Sequence, residues 1–255
     1  MQKSFDVVVI GSGPGGEGAS IKLAKAGKSV AMVEEHTLVG GGCTHWGTIP
    51  SKALIQVIRQ YSSFRKNRLF NRMLHHMAIS AENLLEMVED VVTRQVRERE
   101  GFYVRNNIEV VQGRARFVTP HILEVDDGSG SPAVLTAEHF VIATGSHPYR
   151  PDDIDFNHPL IVDSDTVLKI KELPETLTVY GAGVIGSEYA SAFRNLGVKV
   201  NLVNTRSRLL EYLDDEISNA LSYHMADEQG LVIRHNEEYA RVEAKDDVVI
   251  LHLAS

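Results

Sequence analysis

The chain has 255 residues, of which 43% are hydrophobic and 24% charged, with a formal net charge of −8. That length admits one large domain or two ordinary ones with a real core, and the negative balance argues against a nucleic-acid or anionic-membrane surface. A single cysteine allows no internal disulfide, the N-terminus lacks a signal-peptide pattern and no apolar run reaches membrane-spanning length, so the expectation is a cytoplasmic protein.

In chain order, the first element is a β-branched run, "FDVVVIG", that enters a glycine loop. The loop Gly11, Ser12, Gly13, Pro14, Gly15, Gly16 leads into an Ala-rich helical segment, Gly27 ends it, and "SVAMVEE" begins a second strand. The same pattern returns without a gap 170 residues on: Gly11, Gly13, Gly16, Gly27 and Val30 recur as Gly181, Gly183, Gly186, Gly197 and Val200. In G-x-G-x-x-G the first glycine makes the turn, the second lets a pyrophosphate approach the backbone, and the third lets helix and strand pack closely. The helix N-terminus then offers free N–H groups and partial positive charge to phosphates. In the second copy this places Gly181, Gly183, Val184, Ile185 and Gly186 at a dinucleotide. Two such units, each with strand, helix and second strand in place, predict an α/β fold of two Rossmann-like three-layer domains.

The two second strands end differently. The first ends in Glu34 and Glu35, where a carboxylate accepts from an adenosine ribose 2′-OH. The second ends in Asn204, Thr205 and Arg206, with Arg208 just beyond. An amide bonds a ribose hydroxyl without repelling a 2′-phosphate, and the arginines supply positive charge for one. The first site thus reads as specific for an unphosphorylated adenosine, the second as accepting both NAD and NADP; solvated arginines after a strand are the alternative.

Between the two units, "GGGCTHWGTIPSK" carries Cys43, with Thr48 five residues on and a helix expected from about Pro50. No complete metal-ligand set stands beside Cys43 and His45, so no metal is expected. "RKNR" (65–68) reads as a solvated helix face and the histidines at 75–76 as polar surface. "EMVEDVVTRQVREREGFY" (86–103) has helical apolar spacing and reads as a long covering helix without chemistry. A β segment follows near 108–127, with a turn at "DDGSG" (126–130), and a Pro-rich loop spans 146–159. "ELPETLTVYG" (172–181) opens the second parallel sheet, and the last residues alternate like strands around "KDD".

"VVVIGSGPGGEGA", "GGGCTHWGTIPSKAL", "FVIATGSHP" and "VYGAGVIGSEYASAF" together resemble the flavoprotein pyridine nucleotide-disulfide oxidoreductases of class I, which include dihydrolipoamide dehydrogenase and glutathione reductase. The resemblance covers essentially the whole chain. It implies FAD on residues 1–147, the N-terminal part of an FAD-binding domain, and a nicotinamide dinucleotide on residues 148–255. It also implies that Thr144 and Gly145 return across the FAD adenosine side, that Ala115 meets the adenine, and that Gly42, Cys43, Thr48 and Lys52 lie at the flavin. Lys52 matches a family lysine beside flavin N5, and Glu188 a glutamate that pairs with it. Disulfide members carry C-x-x-x-x-C; here Thr48 replaces the second cysteine, so the dithiol relay is absent.

Within the family, the same runs are similar to members implied to pass hydride between NADPH/NADP+ and NADH/NAD+ through FAD without a redox disulfide. An NAD(P)H oxidase or quinone reductase on the same scaffold, and a non-catalytic dinucleotide-binding module, stay open at this point. The resemblance further implies pyridine dinucleotides as partners, a homo-oligomeric full-length protein, and a return to the FAD domain followed by a C-terminal dimerisation domain. Neither of these last two segments occurs in the chain, so a fragment of a longer protein is expected.

Overall fold

A computed structural model describes residues 2–67 and 80–254; the histidine pair at 75–76 and residue 68 of the basic run lie outside the described residues. The chain divides into two compact units, one of residues 1–52 and 88–147, the other of residues 53–87 and 148–255.

The first unit contains β1 (Gln2–Ile10), α1 (Pro14–Lys25), β2 (Val30–Glu34), the short α2 (Gly41–His45), the start of α3 (Thr48–Lys66) and most of α4 (Ala81–Arg105). β3 (Glu109–Gln112), β4 (Arg114–Thr119), β5 (Ile122–Asp126) and β6 (Ala133–Ile142) complete it. Its sheet has the order β3-β2-β1-β6-β5-β4, parallel from β3 to β6 and antiparallel beyond. Parallel strands covered on both faces need apolar residues at consecutive positions. Val7, Val8 and Val9, followed by Val30 to Val33, supply them.

Because successive side chains alternate faces, the core is split. Val7, Val9, Val30 and Met32 meet Val96 and Tyr103 of α4, with Ile21 and Ala24 of α1. Val8, Ala31 and Val33 meet Leu123, Val125, Leu135 and Ala137 of the antiparallel flank, which folds back over the sheet. The expected long helix is therefore real, begins earlier than its apolar pattern, and buries the stripe that contains Val92 and Val96.

The second unit contains β7 (Thr176–Tyr180), α5 (Val184–Asn195), β8 (Lys199–Asn204), α6 (Asp215–Tyr223), one π-helical turn (His224–Glu228) and β9 (Val232–His235). β7-β8-β9 form a parallel sheet, and β10 (Glu238–Lys245) pairs with β11 (Val248–Ala254) as an antiparallel hairpin around Asp246 and Asp247. Helix α5 buries Tyr189, Ala190, Ala192 and Phe193, and Asn195 at its end accepts from the Ser62 hydroxyl of α3 at 3.3 Å. No described helix is long and apolar enough to cross a membrane.

Candidate functional site

The two glycine loops fold alike. Gly11 and Gly181 have φ of 101° and 108°, in the left-handed region where a side chain is strained. A Cβ on Gly16 would stand 1.8 Å from the Gly11 carbonyl oxygen, and one on Gly186 equally close to that of Gly181. Nothing lies within 4 Å of a Cβ built on Gly183, and only the Gly41 Cα, at 4.0 Å, near one on Gly13. So the first and third glycines are demanded by the protein's own backbone, whereas the second leaves open space over a helix end. Gly13 and Gly183 cap α1 and α5 with no side-chain bond, and the first intrahelical bonds run from Glu17 N–H to Gly13 O and from Ser187 N–H to Gly183 O. The N–H groups of Gly15 and Gly16, and of Val184 to Gly186, precede those bonds and stay available to an anion. These cradles fit a dinucleotide pyrophosphate.

At the carboxyl edge of the first sheet the loop meets three other segments. Glu34, 5% exposed, accepts through Oε2 from the Ser12 N–H at 3.0 Å and from the Ser12 hydroxyl, and through Oε1 from the His36 N–H at 2.9 Å. The Ser12 oxygen accepts in turn from the Gly40 N–H at 2.8 Å. Ser12 is fully buried, with its N–H and hydroxyl both engaged. A carboxylate has about four acceptor directions; these bonds leave one on Oε1 for a ribose hydroxyl. Glu35 is exposed and pairs with Arg114 at 3.9 Å.

The segment after β6 closes the edge: Ala143 donates to Ile10 O at 2.8 Å, and a Cβ on Gly11 would stand 2.3 Å from the Ala143 oxygen, just before Thr144 and Gly145. Gly113 donates to Glu34 O at 2.8 Å, and Ala115, next but one, packs half-buried on the core.

Helix α4 reaches this edge as well, which its sequence pattern did not show. The buried Tyr103 hydroxyl donates to Ser12 O at 3.4 Å, and Arg99 pairs with Glu17 in the first turn of α1 at 3.1 Å. Burial holds the Tyr103 hydroxyl above its ordinary pKa, so it stays a donor. A carboxylate beside a phosphate cradle opposes the anion, and Arg99 offsets it. A tyrosine and an arginine at core-facing helical positions read as packing in sequence.

Cys43 sits half-buried in α2, with Gly41 against the first loop: a Cβ on Gly41 would stand 2.8 Å from the Gly13 Cα. A Cβ on Gly42 would meet the Trp46 indole nitrogen at 2.8 Å. Trp46 packs edge-on to His36 at 5.0 Å, and the His45 ring bonds the Val39 carbonyl at 2.9 Å. Thr44 is fully buried behind Gly40, its hydroxyl without a hydrogen-bond partner among the described residues. Helix α3 begins at Thr48 rather than near Pro50, since the first helical turn needs no N–H from proline. Thr48 and Lys52, one turn apart and both exposed, share one face of that helix. Glu188, half-buried, belongs to α5 in the other unit.

In the second unit Asn204 ends β8 only 4% exposed. Its Nδ2 donates to Arg208 O at 2.9 Å and lies 3.0 Å from His235 Nδ1, while Oδ1 accepts from the Arg206 N–H at 3.3 Å. Thr205 and Arg206 are exposed beyond it. Arg206 approaches Glu211 at 3.4 Å; Arg208 pairs with Asp215 and donates to Glu211 O at 3.2 Å. His235, on a different strand, is brought to Asn204 by the fold and is not marked by any motif in the sequence.

The chain belongs to the pyridine nucleotide-disulphide oxidoreductase family, whose profile matches residues 5–255. It is 52% identical to the soluble pyridine nucleotide transhydrogenase of Colwellia psychrerythraea, across 100% of this chain and 55% of that protein. It is 53% identical to the protein of that name from Shigella flexneri, across 98% of this chain and 54% of the relative. Among solved structures, the HOCl-induced flavoprotein disulfide reductase RclA from Escherichia coli is similar with a TM-score of 0.81 and 29% identity, over 97% of this chain and 52% of that one. The Cu(II) complex of the same reductase gives 0.84 and 28%, over 98% and 53%. The chain spans about half the length of the curated relatives it matches.

Proposed function

We propose that the chain is the nucleotide-binding half of an FAD-dependent NAD(P)+ transhydrogenase, with residues 1–147 serving FAD and residues 148–255 serving NAD(H) and NADP(H). When bound, FAD supplies the two-electron carrier for hydride. The N–H groups at the starts of α1 and α5 hold the pyrophosphates. Glu34 accepts from the FAD ribose through its one remaining direction. Asn204 accepts from a ribose 2′-OH through Oδ1, and Arg206 and Arg208 meet a 2′-phosphate when there is one. Lys52 would place positive charge beside the reacting ring, where it stabilises negative charge on that ring.

The observation that carries this reading is the pair of unlike strand ends on like cradles, with Thr48 where a dithiol relay needs sulfur. The names of the relatives support it. The test is turnover of the flavin-loaded full-length protein with NADPH and an NAD+ analogue of distinct absorbance, against oxygen or a quinone as acceptor. Faster reduction of the NAD+ analogue is expected; preference for oxygen or quinone would overturn the assignment.

A further inference from the structure

The Asn204 carboxamide has two backbone partners of opposite sense, the Arg208 carbonyl and the Arg206 N–H, so its orientation is fixed with Nδ2 toward His235. That orientation requires a lone pair on His235 Nδ1, which selects the neutral tautomer with hydrogen on Nε2. His235 stands directly opposite Asn204 in the β8–β9 register. The turn that follows grips the same loop. The Asn236 N–H donates to Arg206 O at 3.1 Å, with Asn236 at a φ of 56°, and the Glu237 N–H donates to Asn204 O at 3.2 Å. The end of β9 therefore holds the arginine loop at three points, and His235 is the only one of the three that acts through a side chain.

We propose that His235 is a positioning residue for recognition at the adenosine 2′ position, and that it sets the balance between NADP(H) and NAD(H). This rests on the reading of the second unit as the nicotinamide-dinucleotide site. A ribose 2′-OH needs one acceptor, Asn204 Oδ1, which two backbone groups hold in place. A 2′-phosphate needs the charges of Arg206 and Arg208, and their placement depends on the loop that Asn204 ties to β9. Loss of the acceptor on His235 leaves one buried Nδ2 hydrogen unpaired and loosens that tie, which costs the phosphorylated ligand more.

The test is calorimetric titration of the whole protein with ADP-ribose and 2′-phospho-ADP-ribose, which needs no turnover. In His235→Leu the affinity for the 2′-phosphorylated ligand falls about fivefold and that for ADP-ribose by less than about twofold. His235→Asn, whose Oδ1 takes the place of Nδ1, restores both. In turnover, His235→Leu raises KM for NADPH with kcat unchanged. If His235→Leu does not fold, His235→Ala, which likewise offers no acceptor, takes its place. Equal loss for the two ligands, no loss, or a His235→Asn variant as impaired as His235→Leu would overturn the role of His235. A parent protein that binds neither ligand would instead overturn the reading of the second unit as a dinucleotide site.

Discussion

Glu34 and Asn204 occupy equivalent strand ends, yet each is bound into its loop in a different way. Glu34 is anchored by Ser12, whose hydroxyl also takes the Gly40 N–H, so one serine joins the first glycine loop, the carboxylate that ends β2 and the segment before Cys43. Ser12→Ala removes a bond to a charged acceptor and strands a buried N–H; a loss of about 2 kcal/mol in urea unfolding is expected, with weaker FAD retention. Unchanged stability would mean that Ser12 is not the brace described. Asn204→Asp keeps the shape but turns both donors into acceptors and adds negative charge at the end of β8, the proposed 2′ recognition position. The expected result is a rise of about tenfold in KM for NADPH and a smaller one for NADH, measured by steady-state kinetics. The strand-end residues were legible because the fingerprint fixes their position by counting. Ser12's inward hydroxyl and the partnership of His235 were not, because both depend on contacts between segments far apart in sequence.

At the scale of elements, the βαβ units place open helix ends beside tight backbone crossings, and the two demands on glycine separate cleanly. Gly183→Ala meets nothing in the protein, so it is expected to fold with an unchanged melting temperature while its affinity for ADP-ribose falls at least about tenfold. Gly186→Ala drives a methyl into the Gly181 carbonyl and is expected to cost about 3 kcal/mol of stability whether or not ligand is present. Equal melting temperatures for the two variants would refute this division. Tyr189 of α5 carries a buried hydroxyl with no hydrogen-bond partner among the described residues, and burial pushes its pKa up to about 12. Tyr189→Phe is accordingly expected to match or exceed the parent in thermal melting. The periodicity of α4 announced a covering helix, and Val92 and Val96 fulfil it. Its brace on the first cradle through Arg99 and Tyr103 was illegible, since a helix pattern shows which face is buried and not what lies beneath it.

For the molecule as a whole, two related units follow from one repeated sequence pattern, which makes the α/β architecture legible in the sequence. The antiparallel flank β4 to β6 was visible only as a β segment with a turn at 126–130; its return over the other face of the sheet depends on Leu123, Val125 and Leu135 finding Val8 and Val33. The proposed transfer of hydride between dinucleotides puts no thiol in its route: Cys43 is the one cysteine of these 255 residues, and Thr48 stands at the sequence position where disulfide members of the family carry a second. The most direct measurement is anaerobic stopped-flow absorbance of the flavin-loaded full-length protein, with its thiols free or blocked. NADPH should bleach the flavin band and NAD+ should restore it at rates that blocking leaves unchanged. A flavin that neither nucleotide reduces, or one whose turnover stops when the thiols are blocked, would contradict the account.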